Sequence, residues 1–188
     1  MDISSPQNPV VKLLVKLRKD GDYRNDVRRF LIDGPRAVRM ALASAPGCIE
    51  RLIVSEKLAG GEFPFFRDAS SSLRPRPSVD NAPALPFGSD ESVMVKVTSD
   101  VYKKISGAKA PQGIMALARM NDCSLQSICS PAQRLTLILD AVQDPGNVGT
   151  LIRSAVAFGA SGVVCLNGCA DPWNDKSVRS SAGAIVAI

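Results

Sequence analysis

The residues best suited to chemistry lie in one short run, Leu137–Arg153, with the sequence LILDAVQDPGNVGTLIR. An apolar segment leads into a polar turn that is rich in glycine and proline, and the turn leads into a segment that carries Arg153. A guanidinium forms paired hydrogen bonds with phosphates and carboxylates. The run therefore predicts an active-site loop.

The surrounding sequence predicts the elements that hold this loop. Leu135–Leu139 is a short apolar segment, which suits a strand buried on both faces of a parallel sheet. Residues 144–149 preset or tolerate unusual backbone angles, so they predict an ordered turn. From Thr150 the apolar spacing predicts an amphipathic helix, with Thr150 or Asn147 as the N-cap and Gly159 as the stop.

Arg153 then falls in the first turn of that helix. A second apolar segment, Gly162–Leu166, completes a strand-helix-strand unit. Its loop lies at the carboxyl end of the first strand, where open α/β sheets place their ligands. The residues alone leave a second interpretation open, in which the turn is only a tight connection and Arg153 is a solvated surface residue. Neither a phosphate loop nor a dinucleotide fingerprint is complete here.

Composition predicts a folded protein and limits its chemistry. The chain has 188 residues, 45% hydrophobic and 22% charged, which suits one domain or two small ones. A net charge of +5 favours a polyanionic partner, although such an excess is also common in proteins that bind none. The five cysteines lack metal-ligand spacing, and they predict reduced structural thiols with no metal site.

Histidine is absent from the chain. Ser-His-Asp and Cys-His nucleophile systems, acid-base chemistry by imidazole and two-histidine metal sites are therefore excluded. Any catalysis must use arginine, lysine, carboxylates, hydroxyls or the backbone.

The first 120 residues predict a small α/β unit. Asn8 and Pro9 predict the start of an amphipathic basic helix, in which Lys12 lies on the polar face. That face suits contact with an RNA backbone, although an ordinary solvated helix face is the slightly favoured interpretation. The remaining elements follow from apolar patterning and are strands at 30–32, 49–54, 93–97 and 113–118, with helices at 35–43 and 100–106.

Two segments predict connections. Residues of about 67–91 are rich in serine and proline and lack either periodicity, which predicts a flexible loop. Residues 121–133 predict a linker between a first domain at 1–120 and a second domain at 134–188.

The motif Asp140-x-Val-x-Asp-Pro-Gly-Asn-Val-Gly-Thr-x-Ile-Arg153 resembles the first signature of the SpoU-type (TrmH-like) RNA 2′-O-ribose methyltransferases of the SPOUT class. The segment Asp171–Ala184 is similar to the family's next signature, which usually has Tyr and Pro where this chain has Trp173 and Asp175. Upstream, segments 3–12, 30–34 and 106–113 resemble the family's substrate-binding domain.

This resemblance implies a small amino-terminal α/β substrate-binding domain followed by a SPOUT-type, knotted Rossmann-like methylase domain with a parallel sheet. It implies transfer of a methyl group from S-adenosylmethionine to a ribose 2′-hydroxyl of transfer or ribosomal RNA. Arg153 and Asn147 are the implied catalytic pair, with Asn147 positioning Arg153. Since a guanidinium is a poor base, the preferred role of Arg153 is to hold the phosphate beside the target ribose and to lower the pKa of the hydroxyl.

The substrate-binding residues that we expect are basic or hydroxyl-bearing side chains in the matching segments. They are Lys12, Arg36, Lys109, Lys176, Arg179 and Ser180. For those after Ala170, a helix start with routine surface charges is an equally good interpretation. RNA is expected over DNA because the 2′-hydroxyl is the acceptor.

The family's sequence continues into motifs that form the methyl-donor pocket, and we expect the donor-binding residues beyond Ile188. The methylase domain is therefore expected to be incomplete in these residues, and a non-catalytic RNA-binding remnant is the alternative function. The resemblance implies a homodimer, which loss of the later segment makes doubtful for these residues alone. With neither a membrane span nor a leader in the sequence, a cytoplasmic location is expected, or an organelle if a transit peptide is missing.

Overall fold

The computed structural model describes residues 1–59, 93–121, 123–128 and 135–188. The predicted loop at about 67–91 lies outside these residues, and so do parts of the predicted linker 121–133. Helices and strands alternate through the described ranges, so the α/β class is confirmed. None of these helices combines the length and the apolar character that crossing a bilayer requires.

Residues 1–121 contain a mixed sheet, which we call the five-stranded unit. Its strands are β1 (Asp2–Ile3), β2 (Arg29–Asp33), β3 (Ile49–Ser55), β4 (Met94–Val97) and β5 (Ile114–Arg119), in the order β1-β4-β3-β5-β2. β4 is parallel to both of its neighbours, and β5 is antiparallel to both of its own. Its described helices are α1 (Pro9–Lys19), α2 (Gly21–Val27), α3 (Pro35–Ser44), α4 (Glu56–Ala59) and α5 (Ser99–Ile105).

The start of α1 forms as predicted. Asn8 Oδ1 accepts a hydrogen bond from the Val10 amide at 2.8 Å, and Pro9 occupies the first helical position. The polar face carries Lys12, which is exposed. The sequence analysis missed α2, which begins where Asp20 Oδ1 accepts from the Tyr23 amide at 2.9 Å.

Residues 135–188 form the second part, which we call the two-stranded unit. Its strands β6 (Thr136–Leu139) and β7 (Gly162–Cys165) pair in parallel. α7 (Pro145–Ala157) connects them, α8 (Asp175–Ser180) follows, and a 3-10 turn covers Ala184–Ala187. The short helix α6 (Leu125–Ile128) precedes β6. The predicted strand-helix-strand unit is therefore present, with its loop at the carboxyl end of β6.

The prediction that the first strand is buried on both faces is wrong. Leu139 is buried, but Ile138 is 61% exposed. In the described residues β6 pairs only with β7, and α7 packs on one side of the pair, so alternate side chains of β6 meet solvent.

The predicted start of the catalytic helix is also wrong. α7 begins at Pro145, and its N-cap is Asp144, whose Oδ1 accepts from the Asn147 amide at 3.0 Å. The Asp-Pro pair supplies both a capping oxygen and a residue preset for the first helical position, and this outweighs the low helix propensity of the glycines that follow. Arg153 consequently lies in the third turn of the helix, not the first.

One apolar core joins the two units. It includes Phe30 and Ile32 of β2 together with Val148 and Ile152 of α7. At its edge the rings of Phe30 and Trp173 lie 4.7 Å apart, with an angle of 54° between their planes. The two sheets are separate, but their packing is shared, and the division into two domains stays a prediction.

A buried ion pair crosses the same boundary. Arg24 is 4% exposed and donates to the Asp171 carboxylate as well as to the Leu17 carbonyl at 2.7 Å. Because Arg24 belongs to α2 and Asp171 to the loop before α8, the pair fixes that loop against the five-stranded unit. This loop leads directly into the candidate site.

Candidate active site

The implied catalytic pair lies on α7. Asn147 and Arg153 are both exposed, and their separation of six residues corresponds to about 9 Å along the helix axis. No hydrogen bond joins the two side chains in the described structure. Any positioning of Arg153 by Asn147 would therefore act through a third group or through the helix itself. Six residues also correspond to about 240° of rotation, so the two side chains project about 120° apart around the helix.

α8 packs closely against α7 at Gly149. A Cβ atom at this position would lie well inside 3.0 Å of the Ser177 carbonyl oxygen and 2.8 Å from Ser180 Cβ. Gly149 is therefore required by the approach of two backbones, not by a turn. Arg153 is four residues later and shares this face of α7, which places it one helical turn from the contact. Ser180 is half-buried in that contact.

The amino-terminal ends of the two helices are joined by an ion pair. Lys176 Nζ lies 2.6 Å from Asp144 Oδ2, and Asp144 also caps α7. The hydrogen bond from Lys176 holds the pKa of the Asp144 carboxyl below its ordinary value. Asn174 Oδ1 accepts from the Lys176 and Ser177 amides, both at 2.9 Å, and so starts α8.

Replacing Lys176 by methionine is expected to raise the pKa of Asp144, because the largest cause of its depression is removed. A lowered pKa in the folded state stabilises the fold above the ordinary value and loses that effect as the pH falls through the folded-state value. The carboxyl carbon shift of Asp144, followed by NMR from pH 2 to 6, reports this change. Lys103→Met, which removes the lysine partner of Asp100, is the control; an unmoved Asp144 titration in K176M would contradict the assigned pair.

A second ion pair lies where α8 meets the five-stranded unit. Arg179 Nη1 lies 2.7 Å from Asp175 Oδ2, one helical turn away. A Cβ atom at Gly107 would fall well inside 3.0 Å of the same Oδ2 atom. The turn that follows α5 therefore rests on Asp175, and Lys109 lies two residues further along this turn with its side chain exposed.

A buried carboxylate supports that turn. Asp33 Oδ1 accepts from the Tyr102 hydroxyl at 2.9 Å, and Asp33 Oδ2 accepts from the Ser106 hydroxyl at 2.5 Å. Ser106 Oγ in turn accepts from the Ala108 amide at 3.1 Å. Burial raises the pKa of Asp33 in spite of these hydrogen bonds. The path of the chain toward Lys109 is thus set by the core of the five-stranded unit.

The structure brings together some of the predicted residues and leaves others apart. Lys176, Arg179 and Ser180 share α8 beside α7, and the turn carrying Lys109 contacts α8. Lys12 and Arg36 are exposed on α1 and α3. No hydrogen bond or ion pair in the described ranges joins either of them to α7 or α8.

A pocket of about 270 Å³ lies at the junction of the two units. Trp173, Ile152 and Cys165 contribute to its lining, together with Arg28. Among the described residues that line it there is none of the predicted site residues and no acidic side chain. We assign no donor-binding residue in the described structure.

Sequence reasoning missed three features of the site or gave them another role. Asp144 is predicted as part of a turn, although an aspartate directly before a proline is a recognisable helix start. The packing role of Gly149 and the contact between Asp175 and Gly107 have no signal in the sequence, because each depends on a distant segment.

Two family models match the chain. Residues 8–116 match an MRM3-like substrate binding domain, and residues 134–188 match the SpoU rRNA Methylase family.

Named relatives cover most of the chain. It is 30% identical over 182 residues to the 23S rRNA (guanosine(2553)-2′-O)-methyltransferase RlmP of Bacillus subtilis, covering 97% of this chain and 61% of the relative. It is 33% identical over 140 residues to human mitochondrial rRNA methyltransferase 3, covering 71% of this chain and 31% of that protein. The chain thus spans about three fifths of the bacterial relative and less of the human one.

Solved structures show the same fold. An RNA 2′-O ribose methyltransferase matches with a TM-score of 0.70 and 30% identity, over 100% of this chain and 64% of that one. The AdoMet-bound rRNA methyltransferase from Sinorhizobium meliloti matches with a TM-score of 0.74 and 26% identity, over 100% and 62% of the two chains. With two adjacent family models over most of its length and relatives that extend across both, this chain belongs to the SpoU rRNA methylase family.

Proposed function

We propose that this protein is an RNA methyltransferase that transfers a methyl group to a ribose 2′-hydroxyl of RNA. Ribosomal RNA is the proposed substrate class, because RlmP and rRNA methyltransferase 3 are both named for it. The observation that carries the proposal is the α7–α8 pair. It presents Arg153 one turn beyond a backbone contact at Gly149, inside the segment that matches the family model.

In the proposed mechanism Arg153 acts on the acceptor. Its guanidinium binds the phosphate beside the target ribose through paired hydrogen bonds and stabilises negative charge that develops on the 2′-oxygen. Held in this way, the hydroxyl is oriented for an in-line displacement. Asn147 contributes a further hydrogen-bonding group on the same helix.

The flanking cations bind the RNA backbone. Lys109 approaches from the five-stranded unit, while Lys176 and Arg179 lie on α8. Each contact with phosphate adds affinity that does not depend on sequence and falls as salt rises. Lys12 and Arg36 would extend this surface over α1 and α3.

S-adenosylmethionine supplies the methyl group in this chemistry. The Sinorhizobium meliloti rRNA methyltransferase binds it, since that structure holds AdoMet. The family's homodimeric assembly stays a prediction for this protein; the exposed apolar side chains of Ile138 and Phe158 on the two-stranded unit are consistent with a partner. The cytoplasm or an organelle remains the proposed location, and the human relative is named as mitochondrial.

Alkali resistance of the product tests the function. The protein is incubated with unmodified ribosomal RNA and S-adenosylmethionine labelled in its methyl group, and the RNA is then hydrolysed with alkali. A 2′-O-methyl group blocks cleavage at its own nucleotide, so we expect label in resistant dinucleotides. Label in mononucleotides would indicate base methylation and contradict the proposal.

The alternative function is distinguished in the same experiment. If no label is transferred while the protein still retains RNA on a filter, a non-catalytic RNA-binding module is favoured. Absence of both label and RNA retention would contradict both functions.

A further inference from the structure

Asp175 is an acidic residue at a position where a helix does not require one. Asn174 caps α8, so Asp175 occupies the first helical position, which accepts proline readily. A carboxylate in the first turn also suits the positive end of the helix dipole, so the position accepts either residue. Any further role of Asp175 must come from its contacts.

The carboxylate pairs with one arginine and packs against the turn that follows α5. On one side, Asp175 Oδ2 accepts from Arg179 Nη1 at 2.7 Å, with the two side chains 22% and 33% exposed. On the other side, Gly107 is packed so closely that a Cβ atom there would meet both Asp175 Oδ2 and, at 3.2 Å, Arg18 Cδ. Arg18 itself donates to the Ser106 carbonyl at 2.6 Å. Asp175 thus occupies the line of contact between α8 and the five-stranded unit.

The two cations beside this contact, Arg179 and Lys109, differ in whether they are paired. Arg179 is engaged by Asp175, whereas Lys109, on the facing turn, makes no hydrogen bond or ion pair in the described ranges. Because Asp175 Oδ2 already accepts from Arg179 Nη1, a phosphate that uses this nitrogen has to compete with the carboxylate for it. An RNA that reaches Lys109 alone leaves the Arg179–Asp175 pair intact.

We propose that Asp175 competes with RNA phosphate for Arg179 and thereby lowers the affinity of this surface for RNA. This inference rests on the proposed function. The carboxylate weakens binding of an arbitrary RNA, because the existing ion pair between Asp175 and Arg179 has to be broken before a phosphate can replace it.

The test measures binding of a fluorescent 20-nucleotide polyuridine RNA, an arbitrary single strand, to the whole chain at about 0.1 M salt. Asp175→Asn removes the competing charge while keeping the size of the side chain. A partly exposed ion pair has a modest strength, and we expect affinity to rise roughly two- to fivefold. Asp175→Pro, which suits the first helical position, is expected to give a similar gain and serves if the asparagine variant folds poorly.

Two comparisons isolate the competition from a general change in charge. Asp100→Asn removes one negative charge and breaks an exposed pair with Lys103 on α5, so it is the matched control. We expect its effect to be much smaller. In an Arg179→Gln background, Asp175→Asn is expected to give no gain, because the group over which carboxylate and phosphate compete is absent.

The outcomes separate this inference from the proposed function. A gain in D175N that equals the gain in D100N, or that persists beside R179Q, would overturn the role of Asp175. If R179Q weakens RNA binding and D175N changes nothing, the RNA surface stands but the competition is disproved. If the unaltered protein binds no RNA at all, the inference falls together with the proposed function.

Discussion

Ribose methylation is expected to slow about 100- to 1000-fold when Arg153 is replaced by alanine. The side chain is exposed on α7 and has no hydrogen-bonding or ionic partner in the described ranges, so its removal leaves no buried group unsatisfied. The loss should therefore appear in the chemical step rather than in folding. The rate of methyl transfer in a single turnover measures this step. The native protein and the variant are compared, each in excess over the RNA and above the dissociation constant of the complex.

A lysine at the same position separates charge from geometry. Arg153→Lys keeps the positive charge but loses the planar fork that holds two oxygens together, so we expect an intermediate rate. Arg39→Ala is the matched control, because Arg39 is an exposed arginine on α3 that we assign no role. Full activity in the Arg153→Ala variant would remove this residue from the proposed mechanism, and wild-type activity in the lysine variant would show that charge alone suffices.

Substitution of Gly149 by alanine should destabilise the fold by about 3 kcal/mol. The added methyl group would overlap the Ser177 carbonyl oxygen, which belongs to the backbone of α8 and cannot move without displacing the helix. A single methyl group would thus separate the two helices that form the site. Urea unfolding, followed by circular dichroism, measures the change in the free energy of unfolding.

Gly146→Ala on the same helix provides the control. Its new methyl group would meet Asp144 Oδ1 at 2.7 Å and Lys176 Cε at 3.2 Å, which are ends of exposed side chains. They can shift without moving α8, at a cost of about 1 kcal/mol for the Asp144 cap. The gain in helix propensity, about 1 kcal/mol, also offsets part of the strain. Equal destabilisation by the two substitutions would show that the approach of α8 is not the cause.

Local sequence patterns were sufficient for much of the fold. Asn8 and Pro9 start α1 as expected, because a cap and a proline act on the adjacent turn only. The apolar segments that become β2, β3, β5 and β7 were recognisable because burial in a sheet requires the same residue types wherever the strand is placed. Their order was not recognisable: β5 lies between β2 and β3 and is antiparallel to both, although the chain passes through β4 first.

The helix of the candidate site illustrates a local error. Two glycines and an asparagine after Pro145 predict a turn by propensity, yet these residues are helical from Pro145 onward. The glycine at 149 lowers helix propensity but permits the contact with α8. The Asp144 cap and Pro145 set the start of the helix, and with it the turn on which Arg153 lies, while the glycine at 149 serves tertiary packing.

The sequence by itself determined which residues are available for chemistry. Without histidine, chemistry by imidazole is excluded, and the spacing from Asp140 to Arg153 was enough to indicate the family. These properties depend on residue type and on short separations along the chain, which do not change on folding.

Only the tertiary structure decided which of those residues meet. It paired Asp144 with Lys176 across 32 residues, placed Asp175 against Gly107, and left Lys12 and Arg36 on other surfaces. The physical reason is that contacts between distant segments depend on how helices and strands pack around a shared core. Lys109 and Arg179 lie on facing elements because the turn after α5 rests on the first residue of α8.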